Sequence, residues 1–311
     1  MINYESLGDL QPKALTGIAI KKTQGMFLGT DFLPERPWPE FTGYYKSYND
    51  VAFAQLAPSV AESQPASFLN TAYTESSFTM KEYRYATQLS ERAIEFLMAK
   101  DSTQHKSAGR ALVKDAIELI TETVGLQEEK TVIDLLISGA NSANATTATN
   151  AWSSASSTPL TDIREAIRLI RVNWHITPDT LIIDPSLEKD LLIHADVKDM
   201  VKYTSDRLLT LGQDAGRSRA FPGGLCGLDV YVSDAVYTTS VLSGAAETAL
   251  MDGTKAIVMK RGATTGVNFV AKDLNSNRWY DYLTRATMLD IQKVFQPVIF
   301  RSKQIAVISG V

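Results

Sequence analysis

At 311 residues, 44% of them hydrophobic and 21% charged, the chain has apolar material for one large domain or two ordinary ones, which excludes disorder throughout. Its 31 basic residues against 35 acidic ones leave a net charge of −4, so no global basic bias points to tight wrapping of nucleic acid. The single cysteine, Cys226, excludes an intrachain disulfide framework and a multi-cysteine zinc site, and suits a reducing compartment.

Residues 1 to about 60 read as an extended arm, punctuated by Pro12, Pro34, Pro37, Pro39 and Pro58. The arm is nonetheless rich in large apolar groups, among them Phe27, Phe32, Trp38, Phe41, Tyr44, Tyr45, Tyr48 and Phe53. Apolar surface in that quantity needs an outlet, either the chain's own body or neighbouring subunits. The second outlet makes residues 1–35 dispensable for the folded body. Phe68–Tyr73 and Phe78–Leu89 then alternate as strands, and Thr74-Glu75-Ser76-Ser77 supplies the polar turn of a β-hairpin. On the second strand Tyr83, Tyr85, Thr87 and Leu89 share a face. Ser90 and Glu91 start a short helix with Ala93, Ile94 and Leu97 inward.

From His105 to Ser138 the apolar residues Val113, Ile117, Ile120 and Val124 recur at helical spacing, and Ile133, Leu136 and Ile137 continue beyond Gly125. The spacing predicts one long helix, with Gly125 a candidate kink and Gly139 a terminal cap. Gly139 to Thr158 is small and polar and reads as a flexible connector or surface loop. Leu160, Ile163, Ile167, Ile170 and Trp174 mark the buried face of a helix begun by Pro159. Arg164, Arg168 and Arg171 stripe its other side, a face for solvent, for salt bridges between subunits, or for nucleic acid. Thr180–Asp184 is a short buried strand, and Pro185 opens a helix with Leu187, Leu191 and Leu192 inward. After a glycine-rich loop, Gly212–Gly227, the final third is mainly β: Leu225–Val232, Val236–Leu242, Thr248–Met251, Lys255–Lys260 after an Asp252-Gly253 hairpin turn, Val267–Lys272, Trp279–Ala286, Leu289–Val294 and Ile305–Ile308.

The search for chemistry is mostly negative. The three histidines, His105, His175 and His194, show no H-x-x-x-H pair, and neither a nucleophile elbow nor a phosphate loop occurs. Gly223-Gly224-Leu225-Cys226-Gly227 precedes a strand, whereas a dinucleotide fingerprint follows one. His194 beside Asp190 and Asp196 reads as a surface histidine; a cytosolic hydrolase built on it is a distant alternative. Cys226, between apolar residues of an expected strand, reads as a buried inert thiol. No catalytic, cofactor or metal residue is assigned. The N-terminus lacks an apolar signal region, and no run of about 18 apolar residues occurs.

The order of elements (aromatic arm, β-hairpin, long helix, α/β unit, β-rich return) resembles the Hong Kong 97-like major capsid protein of tailed bacteriophages. Pro178-Asp179-Thr180-Leu181-Ile182-Ile183-Asp184-Pro185, Gly224-Leu225-Cys226-Gly227-Leu228-Asp229-Val230-Tyr231-Val232-Ser233-Asp234 and Ala249-Leu250-Met251-Asp252-Gly253 are similar to passages of that family. The resemblance implies an α+β fold with an N-terminal arm over 1–60 and an extended E-loop hairpin over 61–89. A peripheral domain with the spine helix follows over 90–158, then an α/β axial domain over 159–245. Peripheral strands over 246–300 and an axial C-terminal strand over 301–311 complete it. It further implies a structural, non-enzymatic protein that assembles through pentamers and hexamers into an icosahedral shell around double-stranded DNA. Implied partners are a separate scaffolding protein, because Met1 leads almost directly into the arm, a portal and decoration proteins, with assembly in the host cytoplasm and no membrane. Expected subunit-interface residues are Phe27, Phe32, Trp38, Phe41, Tyr44, Tyr83, Tyr85, Arg217 and Arg219. An encapsulin-like compartment shell is the nearest alternative.

Overall fold

The computed structural model describes residues 27–48, 73–90, 103–202, 221, 224–238 and 247–311. Residues 1–26 and 49–60 of the arm, residues 61–72 of the expected hairpin, the expected helix after Ser90, and residues 212–220 and 222–223 of the glycine-rich loop lie outside these. In chain order come a single helical turn (α1, Gly29–Phe32) and strands β1 (Glu35–Pro37), β2 (Thr42–Tyr48), β3 (Tyr73–Thr79) and β4 (Lys81–Ser90). The spine helix α2 (Thr103–Gly139), β5 (Thr146–Thr147), α3 (Pro159–Trp174), β6 (Thr180–Ile183), α4 (Pro185–Ile193) and α5 (Ala195–Lys202) follow. The β-rich return is β7 (Asp229–Val232), β8 (Val236–Tyr237), β9 (Thr248–Ala249), β10 (Lys255–Met259), β11 (Gly266–Asp281), β12 (Ala286–Ile299) and β13 (Ile305–Ser309).

Two sheets carry the fold, one ordered β1-β11-β12-β4 and the other β5-β13-β10-β6-β7. The spine helix serves both. Its first half, through Val113, Ile117, Ile120 and Val124, packs on Leu89, Leu274, Leu289 and Ile291 of the four-stranded sheet. Its second half, through Val132, Ile133 and Leu136, packs under the five-stranded sheet against Ile182, Tyr231, Ile257, Met259 and Ile305. The other face of that sheet is covered by α3, α4 and α5 through Ile163, Ala166, Ile170, Leu187, Leu191 and Val197.

The helix runs without a break through Gly125. A Cβ there would run into the Phe27 ring, so the glycine gives the arm close access to the helix and makes no kink. Gly139 is likewise still helical, and a Cβ on it would strike Ile299. Leu28, Phe32 and Leu33 sink into the core shared by α2 and the five-stranded sheet. Residues 27–33 therefore belong to the body, and a deletion of 1–35 removes core.

The expected hairpin is corrected. Thr74–Ser77 is strand, and β3 pairs with β2 from Thr42–Thr79 to Tyr48–Tyr73. β4 pairs instead with β12, from Ser90–Ala286 to Lys81–Phe295. Buried Met80 separates β3 from β4, its N–H donating to the Phe41 carbonyl at 2.8 Å. The three strands expected over 267–294 are one long antiparallel hairpin, β11–β12, with irregular register between Val270 and Asn275. β10, expected among the peripheral strands, lies between β13 and β6 in the five-stranded sheet. Asp252-Gly253 is no two-residue hairpin turn, because β9 pairs with β8 and not with β10. Asp252 instead accepts from Thr254 N–H and Oγ1 at 3.0 and 2.8 Å, a local turn that leads into β10.

The polar stretch 140–158 is built into the fold. Asn144 is fully buried and donates to the carbonyls of Lys303 and Ile305 at 2.6 and 3.2 Å, and β5 adds to the edge of β13. Trp152, 1% exposed, donates to the Asp162 carboxylate at 3.0 Å. In α4, Asp184 caps the start by accepting from Ser186 N–H at 2.9 Å. Leu187 and Leu191 point inward, whereas Leu192 is exposed, since only the i, i+4 pair shares the buried stripe.

A buried ionic joint locks the arm, helix and four-stranded sheet together. Lys293 Nζ on β12 lies 2.6 Å from a Glu35 carboxylate oxygen and 2.8 and 2.9 Å from the two of Glu128 on α2. Asn268 on β11 donates to Glu128 at 2.6 Å. Burial alone would lower the Lys293 pKa, but the two carboxylates outweigh it and hold the ammonium charged. The next residue, Glu129, is 2% exposed and is pushed up to about 7 by burial, against hydrogen bonds from Ser233 and the Leu28 N–H.

Lys293→Met is expected to cost about 3–5 kcal/mol in denaturant unfolding, because it strands a buried carboxylate. Lys293→Met with Glu128→Leu should recover most of the loss; an equally destabilised double variant would contradict the joint. The raised pKa of Glu129 means the native state holds its proton longer than the unfolded chain. Its contribution is complete below the ordinary value of 4.5 and is lost as pH rises through about 7. Unfolding stability should therefore fall by up to about 1.4 kcal/mol per pH unit across that window. Glu129→Gln should flatten that slope.

Candidate assembly surface

The β2–β3 ribbon has two unlike faces because its side chains alternate. On the inner face Phe78 stacks on Phe269 at 4.5 Å with 7° between planes, and Trp38 meets both rings edge-on at 6.0 and 5.6 Å. Tyr45 leans on Phe300 at 5.6 Å, and Ser47 Oγ donates to the Phe300 carbonyl at 3.1 Å. Gly43 lies opposite Phe78, where a Cβ would strike that ring. On the outer face Lys46 sits 4.3 Å from the Tyr73 ring centre and 3.7 Å from Glu75. Tyr44 on this face is 76% exposed, and Phe41, just before the ribbon, is 60% exposed. Exposed ion pairs of this kind contribute little to stability. Phe41 and Tyr44 thus present exposed aromatic surface beside a charged pair.

Beside the ribbon, β4 is an outer strand of its sheet. Tyr83 stacks on Phe295 at 4.7 Å, and Arg84 pairs with buried Asp290 while lying over Trp279. Tyr85 is 48% exposed. An outer strand with free backbone groups is a site for pairing or for cover.

Of the expected interface residues, Phe41, Tyr44 and Tyr85 lie exposed, and Tyr83 is half-buried against its own sheet. Phe32 is corrected: it is wholly buried and meets Tyr231 edge-on at 5.4 Å, so its contacts are internal. Phe27 and Trp38 are half-buried, leaning on Gly125 and on the aromatic root of the ribbon. Arg217 and Arg219 lie outside the described residues. Tyr73 and Lys46 complete the outer face and were not singled out in the sequence. The alternation of Tyr44, Lys46 and Tyr48 against Gly43, Tyr45 and Ser47 was the available signal.

The residues considered for chemistry are held in structural roles. His194 is buried, which corrects its surface placement; its Nδ1 accepts from Asp196 N–H at 3.4 Å, and Nε2 has no partner among the described residues. Cys226 lies in no strand but in the tight turn from Leu225 to Leu228, with φ +53, and burial pushes its thiol up despite nearby Arg164. A groove of about 560 Å³ beside it is lined by Arg164, Ile167, Arg168, Arg171 and Val172. Arg168 there is tied to Glu165 by bonds of 2.8 and 2.6 Å. Among the described residues no cluster of acidic, histidine or cysteine side chains could hold a metal ion, and no helix is long and apolar enough to cross a membrane.

Comparison with solved structures finds this architecture in a phage-related protein, a phage capsid and an encapsulin. A phage-related protein from Bordetella bronchiseptica RB50 superposes with a TM-score of 0.67 at 12% identity, covering 96% of each chain. The asymmetric unit of the bacteriophage PhiM1 mature capsid gives 0.56 at 14% identity, over 91% of this chain and 86% of that one. An encapsulin complex from Synechococcus elongatus gives 0.55 at 11% identity, over 90% and 85%. At such identities the likeness is one of fold, and it is the Hong Kong 97-like fold expected from the sequence. No curated protein matches the chain. Residues 74–284, more than half of its length, match the family described as phage capsid protein. A ribbon with exposed Tyr44 and two sheets on one spine suit such a protein, and the chain belongs to the phage capsid protein family, with a structural role in the capsid.

Proposed function

We propose that the chain closes an icosahedral head shell through pentamers and hexamers around double-stranded DNA, without an enzymatic step of its own. The four-stranded sheet with the first half of α2 serves as the peripheral domain, and the five-stranded sheet with α3, α4 and α5 as the axial domain. The observation that carries this reading is the ribbon. Its inner face roots Phe78 and Tyr45 against Trp38, Phe269 and Phe300, while on its outer face Tyr44 is 76% exposed. Two strands alone are marginal in water, so a root that firm serves to present the outer face to a neighbour. Burying it removes apolar area worth about 25 cal/mol per Å², and a closed shell repeats the contact at every copy.

A near-neutral charge fits DNA held by confinement, with weak, sequence-independent contacts on the inner surface. Assembly is placed in the host cytoplasm, with a separate scaffolding protein, a portal and decoration proteins as partners. The second reading, a compartment around protein cargo, is favoured only by the likeness to an encapsulin. The content of purified particles, nuclease-resistant DNA or a protein cargo, separates the two.

Phe41→Glu combined with Tyr44→Glu should leave the fold intact, each change costing at most about 0.5 kcal/mol because neither side chain is packed. The same variant should form no large particles in velocity sedimentation or negative-stain microscopy. Normal shells from it would refute the ribbon's role.

A further inference from the structure

Helix α3 carries a basic stripe that the fold leaves largely unpaired. Arg164, Arg168 and Arg171 stand at i, i+4 and i+7, which sets them along one line of the helix, about 10 Å from first to last. All three are exposed. Glu165 engages Arg168, but among the described residues neither Arg164 nor Arg171 has a carboxylate partner. In a chain with 35 acidic residues against 31 basic ones, two such guanidiniums on one stripe are a local reversal of sign. The stripe also borders a depression. Ile167 and Val172 help to line the groove of about 560 Å³ beside the Cys226 turn, and Val172 is 58% exposed. Every charged group in that lining is a guanidinium, and the rest of it is aliphatic or thiol.

We infer that this groove docks a short acidic amphipathic helix of a different protein, its carboxylates on the arginines and its aliphatic side chains between them. A guanidinium presents a planar fork that matches a carboxylate with two parallel hydrogen bonds. Arg164 and Arg171 have that fork unengaged, and they are seven residues apart. Glutamates seven apart on a docked helix repeat the spacing, because all α-helices share one rise per residue. Leucines at the third and fourth positions between those glutamates fall on the same face and would cover Ile167 and Val172, removing apolar area from water. That lining selects among anions. A phosphodiester backbone has no apolar group to place against it. Bases bind by stacking on aromatic rings, and no aromatic ring lines the groove. A duplex is held by many phosphate contacts at once, whereas the groove offers three arginines, one of them already paired. The site is complete within one copy, so the inference stands apart from the shell reading.

The test uses the full chain and the fluorescein-labelled peptide acetyl-Glu-Gln-Ala-Leu-Leu-Gln-Ala-Glu-Gln-Ala-Leu-Leu-Gln-Ala-Glu-amide, followed by anisotropy at low salt. The wild type should bind it at least about tenfold more tightly than the analogue with glutamine at every glutamate. Arg164→Gln with Arg171→Gln should melt as the wild type does, because both side chains are exposed and neither holds an ion pair. That variant should lose peptide affinity by at least about tenfold. Val172→Ser should weaken the peptide several-fold through the lining alone, with the arginines intact. A wild type that binds peptide and glutamine analogue alike, or a double variant that binds the peptide as the wild type does, overturns the inference. A short DNA duplex that binds more tightly than the peptide and is released by the double variant would assign the stripe to a phosphate backbone instead. Self-association of the wild type that the double variant loses would assign it to a second copy of the chain.

Discussion

One helix holds two cores, and the rest of the molecule depends on how it does so. At 37 residues α2 is about 55 Å long, enough to lie along the four-stranded sheet and then under the five-stranded one. At 100° per residue, Val113, Ile117, Ile120 and Val124 cluster along one line of the cylinder, whereas Val132, Ile133 and Leu136 cluster roughly a third of a turn away. The buried stripe therefore changes sides between Gly125 and Thr131. In that interval a helix that stays apolar on one line would leave one of its sheets uncovered.

Polar groups occupy the changeover. Glu128 reaches Lys293 and Asn268 on the four-stranded side, and Glu129 reaches Ser233 at the end of β7 on the other. Gly125 just before them admits Phe27, so the arm crosses the helix where its side-chain cover is thinnest. Buried ionic and polar groups are seldom the most stabilising choice. What they supply here is registration: Lys293 is satisfied only when β1, α2 and β12 stand in one alignment. That alignment also fixes the course of β12 to Ile299, next to Phe300 at the ribbon root.

The sequence was most legible where the fold is local. The Pro159 start and the Ile163–Ile170 stripe mark α3, four apolar-rich residues mark β6, and the long apolar repeat marks α2. Each signal lies within the element it describes. The errors have a common physical source. Thr74–Ser77 has the composition of a turn, yet its strand character comes from pairing with β2, and sequence alternation says nothing about which partner a strand takes. Residues 140–158 look like a linker until Asn144 is seen to bond carbonyls of residues 303 and 305. Gly125 reads as a candidate kink because glycine is a poor helix former, and only the Phe27 ring against it shows what its missing side chain admits. Phe32 looked like an arm residue in want of a neighbour, since the Tyr231 ring it packs on is almost two hundred positions away in sequence.

Three exposed apolar features, Phe41 and Tyr44 at the ribbon, Tyr85 on outer strand β4, and Tyr282 and Leu283 at the β11–β12 tip, sit on elements that the interior holds rigidly. That combination bears on how shells avoid trapping errors. Were the same apolar area gathered in one patch, two copies would associate tightly and a wrong angle between them would persist. Divided among separate sites, as the proposed shell would use them, the same area leaves no single contact able to commit a pair. Only copies placed so that several contacts close together are retained, because their weak energies then act on one geometry. Rigidity is what makes the division effective. A flexible ribbon or tip would accept neighbours at many angles, whereas stacked rings at the ribbon root and the Asp281 turn at the hairpin tip restrict each feature to one.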